Sequence, residues 1–233
     1  MGIYNTPQRF NQMKIIVTGA TGLVGAEVLR QAILDKEIKE ITAIVRKPLE
    51  IEDPKIKTII HQNFLDYSNL SEVFKNHDAC LWCLGISQTQ VSKEQYHVIT
   101  YDYTIEAAKA ALAVKPGITF IFLSGMGADT TEKSNTLFAR VKGQAENTLL
   151  KMSFESLFIV RPGGIKPIHK NKNTALTNKI MIPFFPIFEL LTPAMVITSV
   201  QLAKAMLHVA KYGSDMQTLH NMDLKNIAKG LKD

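Results

Sequence analysis

The chain has 233 residues, of which 46% are hydrophobic and 21% are charged, and its formal net charge is +6. A chain of this length and composition can bury one substantial core, as an ordinary globular protein does. The positive charge is not gathered into a basic run or interleaved with aromatic residues, so the sequence lacks the pattern of a nucleic-acid-binding module. A solvated basic face is the interpretation favoured by the charge, with attraction of an anionic ligand or a membrane surface as the alternative.

The chain begins with a polar segment, residues 1–12. This segment lacks the apolar core of a signal peptide, so we interpret it as a flexible leader and expect a cytoplasmic protein. A β-branched run then predicts a strand over residues 14–18, and an amphipathic pattern predicts a helix over residues 22–34.

Three glycines spaced by three lie in the turn between this strand and this helix. Without side chains at Gly19 and Gly22, backbone N–H groups can approach a pyrophosphate, and Gly25 lets the helix lie close to the strand. The helix also directs the positive end of its dipole at the phosphates. We therefore predict a dinucleotide site formed by Gly19, Ala20, Thr21, Gly22, Leu23, Val24 and Gly25.

Strand-like and helical patterns continue to alternate along the chain, which predicts a doubly wound parallel sheet of the Rossmann type. The alternation is predicted to stop after Gly164, so residues 13–165 form the expected NAD(P)-binding core. Residues 166–233, with one helix near residues 199–211, are expected to form a lid or substrate region on the same domain. The predicted strands span residues 40–45, 56–61, 79–84, 118–123 and 156–160, and the predicted helices span residues 68–74, 93–113 and 137–152.

The longest apolar stretch, residues 180–200, is interrupted by prolines and a glutamate, which argues against a membrane-spanning helix. We interpret it as a lid over a substrate pocket or as a surface-associating segment. Membrane-surface contact through Phe184, Phe185 and Phe188 is a less favoured alternative, because the prolines break the amphipathic helix that such contact normally uses.

The two cysteines, Cys80 and Cys83, form a C-x-x-C pattern inside a predicted strand. Residues three apart in a strand face opposite sides, so the two thiols should not share a metal or a disulfide. We predict reduced structural cysteines and no metal site.

Residues that follow the second, third and fourth strands should lie at the same edge of the sheet as the glycine turn. An acidic residue after the second strand would bind the ribose of NAD, but Arg46 and Lys47 stand there and suit a 2′-phosphate. We therefore predict NADP(H) in preference to NAD(H), although the two cations could also be exposed loop residues. The remaining predicted cofactor contacts are Asn63 and Phe64 at the adenine, and Leu84 and Gly85 beside the cofactor backbone.

In their order along the chain, these motifs resemble the atypical short-chain dehydrogenase/reductase family, particularly its branch similar to the human Tat-interacting protein. The resemblance covers nearly all of the chain. It rests on the glycine turn, on His77-Asp78 leading to Cys83-Leu84-Gly85, on Leu123-Ser124-Gly125-Met126-Gly127-Ala128-Asp129, on Val141-Lys142-Gly143-Gln144-Ala145-Glu146 and on Arg161-Pro162-Gly163.

The resemblance implies a serine that orients a substrate carbonyl, a tyrosine that acts as general acid or base, and a lysine that binds the nicotinamide ribose and lowers the tyrosine pKa. Ser124 and Lys142 match the serine and the lysine, but Phe138 stands at the tyrosine position. The resemblance also implies cofactor contacts for Lys142, Pro162 and Gly163. A phenylalanine has no proton to transfer, which leaves two hypotheses open.

The first hypothesis is an NADP(H)-dependent oxidoreductase acting on a small carbonyl or alcohol, with Ser124 polarising the oxygen. Tyr96, Tyr101 or Tyr103 could then supply a substitute hydroxyl. The second hypothesis is a catalytically weak or inactive NADP(H)-binding regulatory protein that contacts a protein partner. The chain could be a monomer, or a homodimer formed through the helices predicted over residues 93–113 and 137–152.

Overall fold

A seven-stranded parallel sheet forms the centre of the computed structural model, in the strand order β3-β2-β1-β4-β5-β6-β9. The structure describes residues 12–169 and 193–231. A separate parallel pair, β7 and β8, lies outside this sheet. The strands are β1 (Met13–Thr18), β2 (Ile38–Val45), β3 (Ile56–Ile60), β4 (Ala79–Trp82), β5 (Thr119–Leu123), β6 (Ser156–Arg161), β7 (Gly164–Lys166), β8 (Val196–Thr198) and β9 (Thr218–His220).

Helices cover both faces of the sheet, because strands rich in β-branched and aromatic residues bury side chains on each side. The helices are α1 (Leu23–Leu34), α2 (Ser71–Lys75), α3 (Lys93–His97), α4 (Tyr103–Val114), α5 (Leu137–Leu150), α6 (Ser199–Tyr212) and α7 (Asn221–Gly230). One apolar cluster joins the sheet to α1, α6 and α7, and a second joins it to α2, α4 and α5. The predicted doubly wound Rossmann fold is confirmed.

The long helix predicted over residues 93–113 is interrupted by a π-helical segment, Val98–Asp102, between α3 and α4. Single π-helical turns are uncommon and often lie at functional sites. Here the segment places Ile99 and Tyr103 on the crevice at the carboxyl ends of the strands.

The prediction that the regular alternation stops after Gly164 is wrong. β9 pairs with β6 in parallel and extends the sheet, and α6 packs against α1 on the same face. β7, β8 and β9 have only three residues each, which is too short for a strand period to show in the sequence. The described part of the C-terminal region therefore completes the sheet and the core.

Cys80 belongs to the apolar cluster on the α4 face, and Cys83 belongs to the cluster on the α1 face. Both thiols are free, and their burial raises the pKa of each. The predicted placement of the two cysteines on opposite sides of the sheet is confirmed.

Among residues 12–169 and 193–231, no helix is both long and apolar enough to cross a membrane. Most of the predicted leader, residues 1–12, and most of the apolar stretch over residues 180–200 lie outside the described residues. Phe184, Phe185 and Phe188 are among the residues that are not described.

Candidate functional site

The glycine turn after β1 is held in place by close backbone approaches. Gly19 has a φ of 63°, and a Cβ atom there would collide with the Cys83 carbonyl at the end of β4. A Cβ atom at Gly25 would collide with the Gly19 carbonyl. The Gly22 N–H donates to this same carbonyl at 2.8 Å. The lack of a side chain at Gly25 thus lets the start of α1 lie close to the turn that follows β1.

The N-terminus of α1 suits an anion. Its N-cap is Gly22, which has no side chain to place in front of the helix, and residues 23–26 are apolar or glycine. The first N–H groups of an α-helix have no partner within the helix, and the helix dipole adds a partial positive charge there. A phosphate is therefore well matched to this end of α1.

A cleft of about 680 Å³ runs along the carboxyl ends of the central strands. It brings together residues that the sequence predicts to bind the cofactor from four separate segments. These residues are Gly19, Ala20, Thr21, Gly22, Arg46, Lys47, Phe64, Leu84 and Gly85.

Four residues predicted on these segments, Leu23, Val24, Gly25 and Asn63, do not line this cleft. Val24 is buried in the core between the sheet and α1, and Gly25 lies against the Gly19 carbonyl. The side chain of Asn63 accepts a hydrogen bond from the Leu65 N–H at 3.2 Å, so it closes its own turn. Leu23, also predicted, is half-buried at the start of α1.

The β2 and β3 end of the cleft combines cations with an apolar wall. Arg46 and Lys47 are exposed at the end of β2. The rings of Phe64 and Tyr103 lie 5.5 Å apart, and Ile86 and Ile99 also line the cleft. Sequence reasoning missed Ile86 and Ile99 as cleft residues and named Tyr103 only as one of three tyrosines that could supply a hydroxyl, because their placement depends on the β4 loop and the π-helical segment.

The Ser124 hydroxyl lies within a buried ionic network at the ends of β5 and β6. It donates to a carboxylate oxygen of Glu146, a residue that is 1% exposed. The Arg161 guanidinium donates to the same carboxylate, with its Nε 3.0 and 3.1 Å from the two oxygens. This network links the ends of β5 and β6 to α5, and it engages the serine hydroxyl.

The residue that faces Phe138 is Gly125. A Cβ atom at Gly125 would lie 2.8 Å from Cζ of the Phe138 ring, closer than such atoms normally come. The aromatic ring therefore occupies the space that a side chain at position 125 would need. The backbone N–H of Phe138 donates to the side chain of Gln88 in the β4 loop at 2.9 Å.

Lys142 lies one helical turn after Phe138 on α5. Its ammonium group donates to the Leu123 carbonyl at 2.7 Å and lies 4.4 Å from the centre of the Phe122 ring. Burial lowers the pKa of this group to about 8, although the nearby Glu146 carboxylate acts in the opposite direction.

The three tyrosines considered as substitutes for the missing acid are engaged elsewhere. Tyr96 is buried, and its burial raises its pKa. The Tyr101 hydroxyl lies 3.1 Å from the Thr148 hydroxyl. The ring of Tyr103 packs on the ring of Phe64, with 5.5 Å between the ring centres.

The loop after β6 is fixed by the C-terminal region. The Gly163 N–H donates to the Asn221 side chain at 2.8 Å, and the same side chain donates to the Ala194 carbonyl at 2.7 Å. A Cβ atom at Gly163 would collide with the Met195 carbonyl. The Pro162 carbonyl accepts from the Met126 N–H at 2.8 Å. Asn221 lies far along the chain from Gly163, and no sequence signal marks it.

Comparison with known proteins agrees with this geometry. A family described as NAD(P)H-binding matches residues 19–181 of the chain. The chain is similar to the mitochondrial protein FMP52 of Candida albicans, with 30% identity over 160 residues, or 66% of this chain and 67% of that protein. It is also similar to the protein HTATIP2 of Rattus norvegicus, with 27% identity over 159 residues, or 66% of this chain and 64% of that protein. The matched part thus spans about two thirds of these relatives.

Solved structures with the same fold include a reductase di-domain and an enzyme in complex with NAD+. A thiolation-reductase di-domain from an archaeal non-ribosomal peptide synthetase has a TM-score of 0.71 and 16% identity, over 93% of this chain and 71% of that chain. The Bordetella bronchiseptica enzyme WbmF in complex with NAD+ has a TM-score of 0.69 and 10% identity, over 95% of this chain and 78% of that chain. At these identities the likeness shows the fold alone.

Proposed function

The chain belongs to the NAD(P)H-binding family, and from that premise we propose that it is an NADP(H)-dependent oxidoreductase acting on a small carbonyl or alcohol. The membership confirms the resemblance to atypical short-chain dehydrogenases. The observation that carries the proposal is the convergence of the glycine turn, two cations and the β4 loop on one cleft.

The residues of the cleft fit a dinucleotide. The turn at Gly19 is stabilised by backbone approaches that leave no room for side chains, and the adjacent end of α1 suits the pyrophosphate. The apolar wall around Tyr103 suits the adenine ring. The other end of the bound coenzyme would extend toward β5, where Lys142 and the Gly163 loop lie. The coenzyme itself supplies the hydride chemistry.

The preference for NADP(H) is supported by the two exposed cations that follow β2. Arg46 and Lys47 line the cleft at the position where an acidic residue would bind the ribose hydroxyls of NAD. A guanidinium group also matches the geometry of a phosphate.

Calorimetric titration of the purified protein with NADPH and NADH tests this proposal. We expect tighter binding of NADPH, and we expect Arg46→Ala to weaken NADPH binding about tenfold while leaving NADH binding unchanged. Lys39→Ala is the matched control, since this exposed cation lies at the opposite end of β2. Equal affinities for NADPH and NADH would overturn the NADP(H) preference, and binding of neither would overturn the whole proposal.

A catalytically weak, regulatory NADP(H)-binding protein is the second candidate. It is favoured by the absence of a hydroxyl group on Phe138 and by the hydrogen bond that holds the Ser124 hydroxyl on Glu146. A broad panel of carbonyl compounds separates the two candidates. Robust wild-type turnover eliminates the second candidate, whereas turnover gained only in Phe138→Tyr supports it.

Location and assembly stay predictions from the sequence. The cytoplasmic location rests on the polar residues 1–12, whereas the similar Candida albicans protein is named as mitochondrial. A homodimer would form through the helices predicted over residues 93–113 and 137–152, which correspond to α3, α4 and α5, and the alternative is a monomer.

A further inference from the structure

The loops after β5 and β6, together with Phe138 on α5, form what we call the reaction end of the proposed coenzyme site, and it has an aromatic ring where the resemblance implies a proton donor. Phe138 has no acidic proton, and Gly125, which faces it, has no side chain. The hydroxyl of the neighbouring Ser124 is committed to Glu146, and the buried ammonium group of Lys142 donates to the Leu123 carbonyl. The substrate that suits this end is therefore one that can accept a hydride without receiving a proton from the protein at the same time.

An isolated carbonyl group does not meet this condition, because hydride addition to it creates a localised alkoxide that an acid must neutralise. A quinone does meet it. Hydride addition to a quinone gives a hydroquinone monoanion, whose charge rests on a phenolic oxygen with a pKa near that of tyrosine, about 10. Water can protonate such an anion after the transfer, so the protein need not supply an acid.

We propose that this site reduces planar conjugated acceptors of the quinone type, an inference that rests on the NADP(H)-dependent function proposed above. The quinone accepts a hydride, which is two electrons and one proton, from the reduced nicotinamide of NADPH. A second proton comes from water and completes the hydroquinone, and the coenzyme leaves as NADP+. The chain's own contribution is to hold the flat acceptor against the ring of Phe138.

The surroundings of Phe138 suit a flat apolar ligand. The ring is half-buried, so one part of its surface is accessible. Three exposed methionines belong to segments that meet at the Pro162-Gly163 loop: Met126, Met195 and Met222. The Met126 N–H donates to the Pro162 carbonyl, and the Met195 carbonyl lies against Gly163. Met222 directly follows Asn221, whose side chain accepts a hydrogen bond from the Gly163 N–H.

Methionine side chains are flexible and contact aromatic rings favourably. Aromatic pairs add a further preference for stacked or edge-to-face arrangements. A partly accessible aromatic ring, with exposed methionines on the nearby loops, therefore favours a conjugated ring over a sugar or another polyhydroxylated compound.

Duroquinone is the probe, because its four methyl groups reduce addition to thiols. Equilibrium dialysis measures the binding of duroquinone to the protein saturated with NADP+. The rate of NADPH oxidation measures the reduction of duroquinone, after the rate without protein has been subtracted. Butanal is the comparison acceptor, since its carbonyl needs an acid. We expect NADPH oxidation with duroquinone to exceed that with butanal at least about 100-fold, the usual contribution of a general acid.

Phe138→Leu tests the role of the ring, with Phe154→Leu as the matched control. Phe154 is also half-buried, but it packs on Phe120 at the far end of the sheet. We expect Phe138→Leu to weaken duroquinone binding about tenfold and to leave the NADPH affinity unchanged. Unchanged duroquinone binding in this variant, or butanal reduction as fast as that of duroquinone, would overturn the inference. If NADPH binds but duroquinone does not, only this inference fails, whereas absence of NADPH binding also overturns the proposed function.

Discussion

The two ends of the proposed coenzyme site, the phosphate end after β1 and the reaction end after β5 and β6, are held in place by different kinds of contact. At the phosphate end, the turn after β1 is fixed by glycines whose backbones touch, and a side chain at Gly19 or Gly25 would not fit. At the reaction end, the loops after β5 and β6 are fixed by buried side chains, with Glu146 and Asn221 at the centre of the contacts.

This difference separates coenzyme binding from chemistry. The phosphate end keeps every glycine of the dinucleotide pattern, whereas the reaction end has phenylalanine at the position of the implied tyrosine, and its Ser124 hydroxyl is bonded to Glu146. Substitutions at the first end should therefore act on nucleotide affinity, and substitutions in the network at the second end should act mainly on stability.

The largest effect is expected from Arg161→Met, which leaves the buried carboxylate of Glu146 without its cation. We expect the free energy of unfolding to fall by about 3–5 kcal/mol, the usual cost of breaking a buried ion pair. Urea denaturation measures this change, and NADPH titration of the folded fraction should show unchanged affinity. Arg140→Met is the control, because Arg140 donates to the Ser134 carbonyl outside this network. A decrease in the free energy of unfolding below about 1 kcal/mol would show that the Arg161–Glu146 ion pair contributes no more than an ordinary surface ion pair.

Gly25→Ala should give the next largest effect, at the opposite end of the cleft. The added methyl group collides with the Gly19 carbonyl and forces α1 away from the turn. We expect NADPH affinity to fall about 100-fold, which corresponds to about 2–3 kcal/mol of overpacking. Gly230→Ala is the control, because a Cβ atom there meets no atom within 4 Å. Calorimetry measures the NADPH affinity of both variants, and thermal unfolding measures their stability. A loss of stability in Gly25→Ala without a loss of NADPH affinity would contradict the assignment of this end to nucleotide binding.

Asn221→Ala tests whether the C-terminal region positions the reaction end. The substitution leaves the Gly163 N–H and the Ala194 carbonyl without their side-chain partner. We expect a loss of about 1–2 kcal/mol in stability, the cost of unsatisfied buried polar groups. Asn226→Ala changes the same residue type on an exposed side of α7 and should have little effect. Equal melting temperatures for the two variants would contradict the role of Asn221.

Lys142→Met should give the smallest effect, visible as a pH dependence. The folded-state pKa of Lys142 is lowered to about 8, and the unfolded value is about 10.4. The unfolded chain thus binds more protons between these values, so this group makes the protein more stable as pH rises through that window. We expect wild-type stability relative to the variant to rise by less than about 1 kcal/mol between pH values of about 7.5 and 8.5. A relative stability that stays constant or falls over this interval would contradict the lowered pKa.

The sequence predicted the phosphate end well, because a glycine that permits close backbone contact is visible as a residue type with a fixed spacing. The strands β1 to β6 were predicted within about two residues of their observed ends, since buried parallel strands are continuous apolar runs. Arg46 and Lys47 reached the cleft for the same reason, as they directly follow a well-predicted strand.

The reaction end was harder to predict, because it depends on directions and distances that the sequence does not contain. Whether position 124 or position 125 faces Phe138 is decided by the turn after β5, where neighbouring residues point to different sides. Asn221 binds a residue 58 positions away, and no local pattern reports such a bond. Predictions for residues 170–192 lie outside the described residues.

The position of β9 and α6 has a consequence for how the polypeptide is synthesised. The face of α1 that packs on α6, and the edge of β6 that pairs with β9, can be covered only after residues 199–220 have left the ribosome. Domains generally fold as units, and unpaired strand edges favour aggregation. During synthesis the face of α1 therefore stays bare until α6 has formed, and the edge of β6 stays unpaired until β9 has formed.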